Sequence, residues 1–160
     1  MAHRHPKNLS KSLVIKIIVL VAIIASIITI VILTFKKDNY PDNIVFSIKG
    51  QNYYLEVAKT EESQQKGLSQ RDELCLDCGM FFPFKIPGRY SFWMKDTHIP
   101  LDIIWLNSKL KVVKIVTAVK TNSEIIYTNK KLAKYVIELN ANESFRLGLN
   151  VGDTLAIINN

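Results

Sequence analysis

Acid is missing from the first 37 residues of this chain, and charge of either sign is missing from Ile17 to Phe35. The first absence leaves Arg4, Lys7, Lys11, Lys16, Lys36 and Lys37 unbalanced. The second leaves a run of Ile, Val, Leu, Ala and Phe broken only by Ser26, Thr29 and Thr34. Cysteine is scarce: Cys75 and Cys78 are the only two, too few for a pair of C-x-x-C motifs around zinc. There is no Gly-rich loop of the kind that cradles phosphate, no Ser/His/Asp set at a recognisable nucleophile elbow, and no internal repeat. These absences set aside nucleotide chemistry on a phosphate loop, hydrolysis by a serine triad, and a solenoid.

The uncharged run is the strongest positive signal. About 20 apolar residues cross a bilayer as a helix, and Ser and Thr are tolerated there because they bond back to helix carbonyls. A cleavable signal peptide has a shorter apolar region and a small-residue cleavage site, whereas this run is long and ends in Leu33-Thr34-Phe35-Lys36-Lys37. An uncleaved anchor is the expectation. The chain then divides into a short basic cytoplasmic tail (1–12), a transmembrane anchor (13–35), a linker (36–43) and a β-rich domain (44–160). The positive excess before the span keeps the N-terminus in the cytoplasm, so the expected localisation is a single-pass cell-membrane protein with its C-terminal domain extracytoplasmic.

The net charge of +7 does not point to nucleic acid. Six of the 21 Lys/Arg and none of the 14 acids precede Asp38. The rest of the chain therefore carries 15 cations against 14 acids, and a near-neutral domain without a basic stripe is a poor nucleic-acid binder.

Beyond the linker the pattern changes period. Ile44–Lys49 alternates, Gly50-Gln51 suits a type II′ turn, and Asn52–Ala58 answers as the second strand of a hairpin. Thr60 is a good N-cap, Glu61 and Glu62 favour the start of a helix, and Gly67 is its C′ residue. Gly79–Phe84, Tyr90–Met94, Leu101–Leu106, Leu110–Lys120, Glu124–Tyr127, Tyr135–Leu139 and Thr154–Ile158 are strand candidates, with Pro83 at an edge or bulge. Asn140 and Glu143 resemble a capping box. Strands do not alternate with long helices, which argues against a doubly wound sheet. The expected fold class is mainly β (α+β): a compact, antiparallel, barrel-like domain with two short helices behind one N-terminal transmembrane helix.

One stretch mixes aromatics, both charge signs, a His and a Pro: Phe92 to Trp105, FWMKDTHIPLDIIW. A polar knot between apolar segments is costly unless each group finds a partner. Asp102, Glu138 and His98 are the catalytic candidates, as an acid/base set. Trp93, Lys95, Asp96, Thr97 and Arg71 are the ligand-binding candidates. Each has a bland counterpart. Asp102 can equally accept backbone N–H groups at a strand entry, with Lys95 pairing with it to hold a turn. Glu138 can be solvated on an outer face. The aromatics Phe81, Phe82, Phe84, Tyr90, Phe92 and Trp93 can line a groove or simply fill the core. Cys75 and Cys78 are read first as a disulfide pinning an irregular loop, then as a redox dithiol, then as part of a metal site; no metal and no cofactor is expected.

The order GLSQR (Gly67–Arg71), GMFFPF (Gly79–Phe84), FWMKDTHIPLDIIWL (Phe92–Leu106), VIELNANESFRLG (Val136–Gly148) and VGD (Val151–Asp153) resembles the DUF192 family, a prokaryotic domain of unassigned function. The likeness runs over nearly all of Phe46 to Ile157 and implies a compact β-rich domain, often behind a signal peptide or anchor, with no activity to carry over. The chain departs from the pattern in having Ser69 for Met and Asp96 for Asn, in lacking a Gly near Asn142, and in its Cys pair.

The first expectation for function is a membrane-anchored extracytoplasmic binding or accessory module with its site near FWMKDTHIPLD. A small hydrolase or lyase using Asp102 with Glu138 or His98, and an envelope assembly domain, are the alternatives. Partners are the membrane and an unidentified small molecule or envelope protein.

Overall fold

The uncharged run folds as one α-helix, α1 (Lys11–Thr34), about 36 Å long at 1.5 Å per residue and thus long and apolar enough to cross a membrane. Ser26 Oγ donates to the Ala22 carbonyl and Thr29 Oγ1 to the Ala25 carbonyl, each at 2.9 Å, the back-bonding that lets hydroxyls sit in an apolar helix. The computed structural model describes residues 11–34 and 40–158. It divides the chain into two units, residues 1–38 and 39–160. The expected tail loses Lys11 and Ser12 to the helix, and its other ten residues, like Phe35 and half of the linker, lie outside the described residues.

The second unit is a seven-stranded sheet in the order β6-β5-β8-β3-β2-β1-β9, beside a two-stranded ribbon, β4-β7. The strands are β1 (Asn43–Ile48), β2 (Gln51–Val57), β3 (Cys78–Gly88), β4 (Ser91–Phe92), β5 (Leu101–Leu106), β6 (Val112–Val119), β7 (Tyr127–Thr128), β8 (Ala133–Asn140) and β9 (Ala156–Ile158). All pairs are antiparallel except β2 with β3. The sheet curls but does not close. Its two ends meet at one bridge among the described residues, Lys111 with Thr154, so the barrel-like expectation becomes an open, strongly curved sheet. The β1–β2 turn falls one residue earlier than its sequence suggests. Lys49 and Gly50 are its central pair, with φ of 53° and 84°, and positive φ at both marks type I′ rather than II′.

Period-2 alternation puts two cores on the two faces of the sheet. Phe46, Ile48, Tyr53, Leu55, Phe81, Ile104, Ile137 and Leu139 pack on one. Leu68, Met80, Phe82, Met94, Leu101, Ile103, Trp105 and Val136 pack on the other. β5 is buried at all six positions, as its two apolar faces require. Gly79 opens β3 between two neighbours, where a Cβ would collide with the Glu138 carbonyl and lie 2.8 Å from the Leu55 and Leu139 side chains. Pro83 sits where the β3–β8 register breaks before Gly88, past the point where β2 has ended, so its missing N–H costs no ladder bond.

The two short helices are α2 (Glu61–Lys66) and α3 (Glu143–Arg146). Thr60 caps α2 through a reciprocal pair with Ser63, which closes the capping box that Thr60 alone suggested. α3 differs from expectation: its N-cap is Asn142 at φ 69°, with no side-chain cap bond.

Candidate functional site

Asp102 has no exposed surface. Its Oδ1 accepts the N–H groups of Ala118 and Asn142, both at 2.9 Å, and its Oδ2 accepts that of Ser144 at 2.8 Å. Two of those donors, Ala118 (φ 49°) and Asn142 (φ 69°), are left-handed residues, a conformation that costs a non-glycine residue energy. One carboxylate therefore holds a bulge in β6, where Leu101 faces Val119 and Ile103 faces Val116, and the start of α3. The backbone-donor reading of Asp102 describes it. Asp102 does not line the cavity described below, because this knot lies on the opposite face of the sheet. Position 142 needs positive φ, which accounts for the glycine that the family resemblance led one to expect there.

Glu138 lies one strand away on the other face. Ile103 pairs with Glu138 while Asp102 pairs with Leu139, so the two acids point to opposite sides. That geometry removes Asp102 as a partner for Glu138 in acid/base work. Glu138 is not a solvated outer residue either; it is 4% exposed. Burial pushes its carboxyl up to about 8, against the opposing pull of a hydrogen bond from the Leu68 backbone and the charge of Arg71. Among the described residues its Oε2 has no hydrogen-bond partner.

Glu138 is among the residues that line a cavity of about 480 Å³. Phe82, Phe84, Tyr90, Phe92 and Trp93 supply aromatic walls, and Gln64, Gly67, Lys95 and Thr97 much of the rest. The rings brace each other: Phe84 stacks on Tyr90 at 3.5 Å between centroids, and Phe92 meets Phe82 edge-on at 5.0 Å. Gln64 Nε2 donates to the carbonyls of Ala58 (3.1 Å) and Pro83 (2.9 Å), tying α2 to the rim. Gly67 passes directly over the acid. A Cβ there would stand 3.5 Å from Glu138 Oε2 and 3.6 Å from Phe82, at a backbone φ of 52° and ψ of −137° that favours glycine.

The other sequence candidates divide. Trp93, Lys95 and Thr97 line this cavity, with the Lys95 ammonium 5.5 Å from the Trp93 ring centroid. Asp96 does not line it; its carbonyl accepts Gln70 N–H at 2.7 Å, and its φ of 53° suits Asp or Asn alike, so the exchange at this position keeps what the backbone asks of it. His98 Nδ1 meets Asp72 Oδ1 at 2.8 Å on the surface, away from both buried acids' hydrogen bonds. Arg71 grips Glu56 with two bonds of 2.6 and 2.7 Å in a neighbouring depression that shares Lys66 and Gly67 with the cavity. Cys75 and Cys78 are brought into disulfide contact, Cα atoms 5.1 Å apart, with Asp77 beside them. Gly67, Gln64 and the Leu68 N–H were missed by sequence reasoning: Gly67 could be read only as a helix stop, and nothing local shows what a loop covers.

Comparison with known proteins agrees with the architecture. The model of the DUF192 family, described as an uncharacterized ACR, matches residues 44–157. No curated protein matches the chain. A solved chain from Sinorhizobium meliloti, described as a "putative transcription regulator", is 31% identical, with a TM-score of 0.65 over 72% of this chain and 91% of its own. A protein of unknown function from Novosphingobium aromaticivorans is 30% identical, with a TM-score of 0.65 over 71% and 83%.

Proposed function

This chain belongs to the DUF192 family, and from that premise we propose that it is a membrane-anchored binding module whose ligand occupies the aromatic cavity over Glu138. The observation that carries the reading is Glu138 Oε2, a buried oxygen left without a partner at the wall of a cavity of about 480 Å³. A buried polar atom without a hydrogen bond costs about 1–3 kcal/mol, which a ligand recovers on binding. With its pKa raised to about 8, the carboxyl is protonated at neutral pH and donates. The ligand then has a hydroxyl or carbonyl acceptor for Glu138 and a ring or short chain for Phe82, Phe92 and Trp93. The anchor is α1, and the cations before it favour a cytoplasmic N-terminus and an extracytoplasmic domain.

A hydrolase built on Asp102 is not favoured, since that carboxylate is committed to three backbone N–H groups. The S. meliloti neighbour's description is not carried over to this chain, whose domain helices are six and four residues long, too short to lie along a major groove. A thermal-shift screen of residues 39–160 against envelope metabolites, sugars and metals tests the reading. A ligand at about 100 times its Kd should raise the melting point by roughly 5–10 °C; Glu138→Leu, which removes the donor, should abolish the shift, and Glu138→Gln, whose amide still donates, should keep part of it. No shift with any compound, or shifts that survive Glu138→Leu, would reject it.

A further inference from the structure

The end of the domain built by β4, β7 and their flanking loops has a chemistry the cavity does not use. From Lys85 to Trp93 and from Ile125 to Lys134 the chain carries Lys85, Arg89, Lys130, Lys131 and Lys134 and no acid. Elsewhere in residues 38–160 acids outnumber cations, since the whole stretch holds 15 cations and 14 acids. The same segments expose Ile86 (71%), Ile126 (66%), Leu132 (60%), Ile125 (58%) and Trp93 (51%).

These segments are held together. Gly88 pairs with Ala133, Ser91 with Thr128 and Phe92 with Tyr127. Asn129, 1% exposed, is the hub. Its Oδ1 accepts Tyr90 N–H at 2.9 Å, and its Nδ2 donates to the carbonyls of Gly88 and Lys131. Lys134 Nζ donates to the Lys85 carbonyl at 3.1 Å. The aliphatic side chains are thus presented on a fixed scaffold among cations.

Large aliphatics and a Trp among Lys and Arg are what a headgroup layer accommodates: apolar tips enter the acyl boundary, Trp sits at the interface, and cations meet lipid phosphates. The chain itself supplies the reason to choose a bilayer. α1 is long and apolar enough to cross one, and the described domain resumes six residues later, at Tyr40. It enters the sheet at a telling end. Asn43 pairs with Glu56 and Val57 with Phe81, and β3 runs on from Phe81 to Gly88 beyond them. The entry point therefore lies at the end of the sheet from which the basic, aliphatic tip projects. We infer that this tip docks the domain onto an anionic phospholipid surface.

The test uses residues 39–160, because α1 would insert the full chain regardless. This unit has its own cores, and the solved relatives consist almost wholly of it. It should co-sediment with vesicles of equal phosphatidylglycerol and phosphatidylcholine at low salt. It should be released in about 0.5 M salt and ignore phosphatidylcholine alone. Trp93 emission should move to the blue on binding, against a constant background from buried Trp105. Reversing four charges (K85E, R89E, K130E and K131E together) should weaken binding by more than about a hundredfold. Ile86→Ser with Ile126→Ser should leave salt-sensitive binding and remove the blue shift. Absence of binding to anionic vesicles at low salt would overturn the inference, and that arm needs no variant. So would unchanged binding by the charge-reversed protein, or tighter binding to duplex DNA with Trp93 emission unmoved. Vesicle co-sedimentation and its dependence on charge involve neither Glu138 nor a cavity ligand, so this inference and the proposed function fail separately.

Discussion

Asp102 and Glu138 are both buried acids on neighbouring strands, offset by one rung and facing opposite sides of the sheet. Asp102 accepts three backbone N–H groups shared between both oxygens. Glu138 receives a backbone bond from Leu68 and leaves Oε2 unpartnered beside a cavity. A buried carboxylate ringed by donors organises backbone; a buried carboxyl with an unpartnered oxygen, on a residue that lines a cavity, is a place for something else to bind. Sequence position alone would rank them the other way, since Asp102 sits in the stretch that mixes aromatics, both charge signs, a His and a Pro, and Glu138 in an otherwise ordinary strand.

The sharpest way to break this comparison is to remove Asp102. Asp102→Ala strands three N–H groups, that of Ser144 buried and those of Ala118 and Asn142 partly so, and releases two left-handed residues. It should cost about 4 kcal/mol in urea denaturation, with Asp102→Asn costing roughly half as much because one oxygen is kept. A loss below about 1 kcal/mol for the alanine variant would mean the knot is not structural.

Glu138 should respond in the opposite sense. Its folded pKa, about 8, stands above the unfolded value of 4.5. Between those values the native state holds a proton that the unfolded chain has released. Stability should therefore fall as pH rises from about 4.5 to about 8 and level off beyond. Glu138→Gln should flatten that slope and make the domain more stable above pH 8, by at most roughly 3–5 kcal/mol. A slope unchanged in the variant would place the titration elsewhere.

The smallest effect belongs to the cysteines. Asn140 Nδ2 donates to the Cys75 carbonyl at 2.9 Å, and Asn140 pairs with Leu101, so the Cys75–Cys78 loop buttresses the start of β5 on the face that Glu138 shares. Replacing both Cys by Ser should cost at most about 2 kcal/mol, as closing so short a loop implies, and leave the cavity's ligand shift intact. Protein isolated from its native membrane should take up no alkylating agent without reductant. Two adducts in intact-mass measurement would indicate reduced thiols and overturn the extracytoplasmic orientation.

Much of the fold could be read from local pattern. The alternation of Ile44, Phe46 and Ile48 against Tyr53, Leu55 and Val57 announced the hairpin, and the two-sided apolarity of Leu101–Leu106 announced a buried strand. Thr60 and Gly67 bracketed a helix through capping chemistry that acts within a few residues. The errors have the same origin in reverse. The turn type at Lys49-Gly50 and the cap of α3 depend on φ values that the tertiary structure imposes.

The candidate site was half legible. Trp93, Lys95 and Thr97 stood out because polar groups among aromatics are costly wherever they lie. Whether Asp102 or Glu138 carried the chemistry was not readable, because it depends on which N–H groups, from residues 16 to 42 positions away, arrive at Asp102. The sequence by itself determined the helix long and apolar enough to cross a membrane, the strands and the family, since these follow from periodicity, hydropathy and short-range capping. Only the tertiary structure decided that Gly67 roofs Glu138, that Asp102 is sealed in backbone bonds on the opposite face, and that five cations gather at one tip. Those facts rest on sheet register, and register is a property of strands meeting rather than of any one of them.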